Sequence, residues 1–173
     1  MHYSTFVKSI SFMLLLALLF GACKKEEINP NDPQQEEEII EEEEEKTNVM
    51  TAKVDGADWE ASRVLVTMKD GVINITGVSE DDREITITVQ SDAEGEYELN
   101  LVSSHVALYT PVKNSNDIFS SNGDSSAGGQ VIFKTIDMSD KHLSGTFDFK
   151  GVQPGETNSV DITEGVFTKV KIQ

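Results

Sequence analysis

The sequence predicts an all-β fold built on antiparallel strands, an antiparallel β-sandwich in the first instance. Three observations lead there. Apolar and polar residues alternate with period two along residues 48–173, the spacing that sends successive side chains to opposite faces of a strand. No long stretch repeats with the helical period of about 3.6 residues. Turn-forming clusters of Gly, Asp, Asn and Ser interrupt the alternation at roughly 8–12-residue intervals, the rhythm of small antiparallel folds.

In chain order, Met50, Ala52 and Val54 alternate with Thr51 and Lys53. Val64, Val66 and Met68 alternate with Arg63, Leu65, Thr67 and Lys69, and Asp70-Gly71 then supplies a hairpin turn, since both residue types tolerate positive φ. The return strand puts Ile73 and Ile75 on one face. An acidic turn at Glu80-Asp81-Asp82 leads to Ile85, Ile87 and Val89, and Ser91–Gly95 turns the chain into Tyr97, Leu99 and Leu101. This half reads as a β-meander.

Residues 113–129 are rich in Asn, Ser, Gly and Asp, the composition of a loop. A strand follows around Gln130–Asp137. The clearest strand comes next: Leu143, Gly145, Phe147 and Phe149 share one face, and His142, Ser144, Thr146, Asp148 and Lys150 the other. After Gln153-Pro154-Gly155 stand two short candidates, Val160–Thr163 and Val166–Ile172. Roughly eight to ten strands suit a sandwich or, as the alternative, a closed lipocalin-like β-barrel. Periodicity does not separate the two.

Ahead of this domain the chain reads as a leader and a tether. Lys8 precedes nine consecutive apolar residues, Phe12–Phe20. That run falls short of the roughly 20 residues a membrane-spanning helix needs, and residues 1–22 read as an export signal that is removed. It ends in Leu19-Phe20-Gly21-Ala22-Cys23, which resembles the lipobox of bacterial lipoproteins. The resemblance implies cleavage before Cys23 and a diacylglyceryl group on its sulfur, so that membrane lipid is the partner of this residue. The alternative is an ordinary secretory leader with an incidental cysteine. Residues 23–47 then form a spacer in which eight glutamates fill Glu36–Glu38 and Glu41–Glu45. Like charges at i,i+4 repel and no apolar stripe is present to pack, so an extended, solvated tether is expected. Lys24-Lys25-Glu26-Glu27 resembles the short export signals of Bacteroidota surface lipoproteins. The expected location is the outer membrane, lipid-anchored and facing the cell surface; a periplasm-facing domain is the alternative.

Composition narrows the function classes. Across 173 residues, 31 acidic side chains oppose 14 Lys plus Arg, a net charge of −17. Residues 48–173 carry 10 basic and 20 acidic residues, so the domain is acidic without its tether. An electrostatic nucleic-acid binder needs clustered cations, and is excluded. One cysteine excludes an internal disulfide and a cysteine-only zinc site.

The run Met50-Thr51-Ala52-Lys53-Val54-Asp55-Gly56-Ala57-Asp58-Trp59 combines a short strand, an Asp-Gly turn and an aromatic. With Gly95-Glu96-Tyr97, Ser144–Phe149 and Glu164-Gly165-Val166-Phe167, it resembles the lipoprotein family of domain of unknown function 6252, typical of Bacteroidota. The resemblance spans most of residues 49–173. It implies fold and location, and attaches no activity.

Gly123-Asp124-Ser125-Ser126-Ala127-Gly128-Gly129 superficially resembles a trypsin-like nucleophile loop, with His105 or His142 as a base. The domain is too short for the two barrels such proteases use, and a flexible loop is the expectation. Glu80, Asp81, Asp82 and Glu84 lack the calcium-loop pattern of alternating acids, central Gly and closing Glu, and read as a solvated turn. Trp59 is read as a core plug rather than a sugar platform. No catalytic, cofactor-binding or metal-ligating residue is assigned, and Cys23 is the one assigned site. The expected function is a membrane-anchored, non-catalytic binding or interaction module, its protein or glycan partner left open. An extracytoplasmic hydrolase and a small-ligand barrel are the alternatives.

Overall fold

The computed structural model describes residues 46–112 and 117–173. The leader, Cys23, the Lys24–Glu27 segment and the glutamate run lie outside the described residues. So do residues 113–116 of the expected loop.

Eleven strands and no helix make up the described residues: β1 (Val49–Val54), β2 (Ala57–Glu60), β3 (Arg63–Lys69), β4 (Val72–Val78), β5 (Glu84–Val89), β6 (Gly95–Leu99), β7 (Val106–Thr110), β8 (Phe119–Ser120), β9 (Gly128–Asp137), β10 (His142–Val152) and β11 (Ser159–Lys171). They form one antiparallel sheet in the order β2-β1-β11-β10-β8-β7-β5-β4-β3. The sheet forks at β10. One edge of β10 pairs with β11 along its length, while the other pairs with β9 from His142 to Lys150 and with β8 at Val152. β9 in turn carries β6. The sheet curls until β3 meets the end of the chain, where Val66 bridges Ile172 and its carbonyl accepts the N–H of Gln173 at 3.0 Å. The result is a half-barrel.

Most of the predicted inward faces are the buried ones. Met50, Ala52, Val54, Val64, Val66, Ile73, Ile75, Ile85, Ile87, Val89, Phe147 and Phe149 all lie in the core. Asp70 and Gly71 take φ of 54° and 75°, and Lys69 pairs with Val72 across them, which is the two-residue hairpin their types favour.

Four expectations are corrected. β6 does not continue the meander: β5 pairs with β7, and β6 crosses to β9. Leu101 does not follow Tyr97 and Leu99 inward but lies beyond the strand, 54% exposed. β7 arises in a stretch assigned no strand, because Val106–Thr110 is short and only Ala107 and Tyr109 point inward. The two short candidates at the C-terminus are one 13-residue strand, β11. Its pairing slips by one residue twice against β10, around Glu164 and Lys169, which take φ of 52° and 43°. Each bulge shifts the inward phase by one residue. Val160 and Ile162 point in before the first, Gly165 and Phe167 after it, and Val170 and Ile172 after the second. A phase shift looks like a strand end to a period-two reading.

Candidate functional site

Two open grooves gather the domain's polar chemistry. The first, about 450 Å³, lies where β1 ends, between the β1–β2 turn, the end of β7 and the β10–β11 hairpin. Asp55, Tyr109, Gln153, Glu156 and Asn158 contribute to its wall. The chain enters β1 at Val49, so this groove stands at the opposite end of the same strand. Its polar groups brace one another. Asp55 Oδ1 accepts the N–H of Asp161 at 2.9 Å, and Asn158 Nδ2 donates to Glu156 Oε2 at 2.9 Å.

The second groove, about 580 Å³, is lined by Glu60, Ser62, Ser79, Glu80, Asp81 and Arg83. Ser79 is buried, and its Oγ donates to Asp81 Oδ1 at 2.5 Å and accepts the N–H of Arg83 at 3.0 Å. Arg83 Nε meets Asp81 Oδ2 at 2.8 Å. The Ser79 hydroxyl, and after it the Arg83 guanidinium, hold the Asp81 carboxyl below its ordinary range. Hydrogen bonding to Asp81 raises Arg83 in turn. Burial pushes the ionisation of the Tyr109 phenol up, and the Arg83 charge acts against that rise.

The structure places each residue singled out by sequence. Trp59 is core, 2% exposed, as read; its buried Nε1 has no hydrogen-bond partner. Glu80–Asp82 form a turn between β4 and β5. Asp124 closes a tight turn, accepting the N–H groups of Ser126 and Ala127 at 2.7 and 3.1 Å. These bonds and that of the Ser126 hydroxyl lower its carboxyl. His105 Nδ1 accepts the N–H of Gln90 at 3.0 Å, and its ring meets Tyr97 edge-on at 5.1 Å. His105 thus sits past the end of β5, whereas Ser79 stands before its start. The six residues of β5 lie between them, five steps of ~3.4 Å or about 17 Å, so the buried serine and this imidazole do not form a nucleophile–base pair. His142 opens β10 on its polar face. The Ser79-Asp81-Arg83 cluster was missed as a network. Its i, i+2, i+4 spacing was legible, but Tyr109, whose ionisation feels Arg83, stands on β7, the strand paired with β5, and no sequence signal announces that pairing.

A small, acidic all-β domain with polar grooves at strand ends is the class these features define. Within that class the chain belongs to the family described as domain of unknown function DUF6252, whose model matches residues 46–171. No curated protein and no solved structure matches the chain.

Proposed function

We propose that the protein is a lipid-anchored module of the outer cell envelope, displayed on the cell surface, and that its domain binds rather than catalyses. The anchor is Cys23, and the supporting observation is the Gly21-Ala22-Cys23 ending of the apolar run Phe12–Phe20. Within the domain, the observation that carries the binding reading is the position of the first groove, at the end of β1 opposite the one where the chain enters from the tether. The groove is then not at the end of β1 to which the tether is joined, which leaves it open to a ligand. The hydrogen-bonded carboxylates and amides of the wall suit a polar ligand with donor groups, such as a glycan or a peptide. Acidic Glu36–Glu45 would be repelled by an anionic membrane and hold the domain off it.

Protease added to intact cells tests the display, with a periplasmic protein as control. The domain should be digested while the control survives. Replacing Glu26 and Glu27 with Ala should protect it without removing the lipid. A wild-type domain that resists until lysis faces the periplasm, and the display reading is then wrong.

A further inference from the structure

At the end of the sheet away from the first groove, the β9–β10 hairpin brings together three side chains with metal-binding chemistry. We propose that Asp137, Asp140 and His142 bind a divalent transition-metal ion of the zinc type. Asp137 closes β9, His142 opens β10, and the two are register partners. The turn between them returns Asp140 to the same spot. One ligand atom from each of the three lies within 4.8 Å of the other two. Donors around one such ion stand ~3–3.5 Å apart, with bonds of ~2.0–2.2 Å, so closing the site needs side-chain rotation and no backbone change.

The donor set selects the metal class. One imidazole nitrogen with two carboxylates matches the borderline preference of zinc and its neighbours, whereas calcium takes six to eight oxygens, on the order of twice what this hairpin offers. Three protein ligands leave at least one position open to water or to a group from a partner. Asp137 is held in place by its own turn: Oδ1 accepts the Ser139 hydroxyl at 2.6 Å, the Ser139 N–H at 2.8 Å and the Asp140 N–H at 3.0 Å. Its second oxygen remains to meet the ion. Two cations oppose binding. Lys141 lies between two of the ligands in sequence, and Lys171 of β11 is the register partner of His142 on its other side. They place the site in the range of a moderate, exchangeable metal rather than a permanent structural one.

The full chain titrated calorimetrically with Zn²⁺, and separately with Ca²⁺, tests the assignment. One Zn²⁺ site should weaken at least about tenfold in His142→Ala and in Asp140→Asn. The response to Ca²⁺ should be the same in all three proteins. NMR of the wild-type histidine rings gives a second readout that needs no variant: Zn²⁺ should shift His142 and leave His105 in place. Wild-type zinc affinity in His142→Ala, or a His142 ring untouched by Zn²⁺, overturns the proposal.

Discussion

Phe167 fills the space that Gly145 leaves open. The two are register partners in β11 and β10, and a methyl group placed on Gly145 would stand 2.5 Å from Phe167 Cζ and closer still to the Ile132 carbonyl oxygen. The arrangement is reciprocal, because Phe147 lies across from Gly165, where the corresponding distance is 2.6 Å. The two rings stack at 6.3 Å and 18°, and Phe167 continues edge-on to Phe133 at 5.8 Å. Each glycine loses the packing a side chain would bring to a strand interior, and the opposing ring restores it.

Gly145→Ala should therefore destabilise by about 1–3 kcal/mol through overpacking. Phe167→Ala should cost about 3–5 kcal/mol through the cavity it leaves. Urea unfolding of the double variant decides whether the two are coupled, since removing the ring relieves its part of the crowding and leaves the Ile132 carbonyl in place. The double variant should lose less than the sum of the single losses. Strict additivity would mean that the ring and the glycine do not share the space.

Glu164 sets the phase of the last strand. Deleting it removes the extra residue and restores plain alternation, with Val160, Ile162, Gly165 and Phe167 all inward, so cooperative unfolding should survive. Glu164→Gly keeps the count of residues and should leave stability within about 1 kcal/mol of wild type. The relief of a left-handed side chain, about 1–2 kcal/mol, is offset by glycine's extra unfolded-state entropy of roughly 0.5–1 kcal/mol. The exposed Lys53–Glu164 pair at 3.5 Å contributes little to either result. A deletion variant that loses cooperative unfolding would show that the bend made by the bulge is needed, and not the phase alone.

Acid should loosen the β4–β5 turn. Asp81 ionises below its ordinary value of 3.8 in the folded chain. Its contribution is therefore present above that value and is lost as the pH falls through the lower, folded one. Unfolding midpoints measured between about pH 6 and pH 2 should fall less steeply in Asp81→Asn than in wild type. Equal acid slopes would mean that the Ser79 and Arg83 bonds do not persist in solution.

Trp59 should report the core and not the grooves. Its emission should be blue-shifted, resist iodide quenching, and stay unchanged when sugars are added. Trp59→Phe removes an unpartnered buried N–H while keeping most of the ring, and should cost less than the roughly 3–5 kcal/mol expected for Trp59→Ala. Quenching by iodide or a response to sugar would return Trp59 to the role of a binding platform.

Lipidation is tested at one atom. Cys23→Ser should move the protein from the detergent phase to the aqueous phase, or leave it with its leader uncleaved. Unchanged partitioning would rule out Cys23 as the anchor.

Period-two alternation determined the all-β fold, because sheet burial acts residue by residue: Ile73 and Ile75, or Phe147 and Phe149, must share a face whatever the sheet order. Asp70-Gly71 likewise declared its hairpin, since the required positive φ is a local property. The family was legible for the same reason, its signatures being turns and strands. Only the tertiary structure decided that β6 pairs with β9, that a bulge at Glu164 joins the final segments, and that β7, with Tyr109, pairs with β5. Pairing across a sheet is a contest among many apolar edges, settled by which rings fit which gaps, and Phe167 against Gly145 is one outcome of it. The meeting of Asp137, Asp140 and His142 stands between the two cases. Their spacing is written in the chain, but only the β9–β10 register brings the imidazole to the carboxylates.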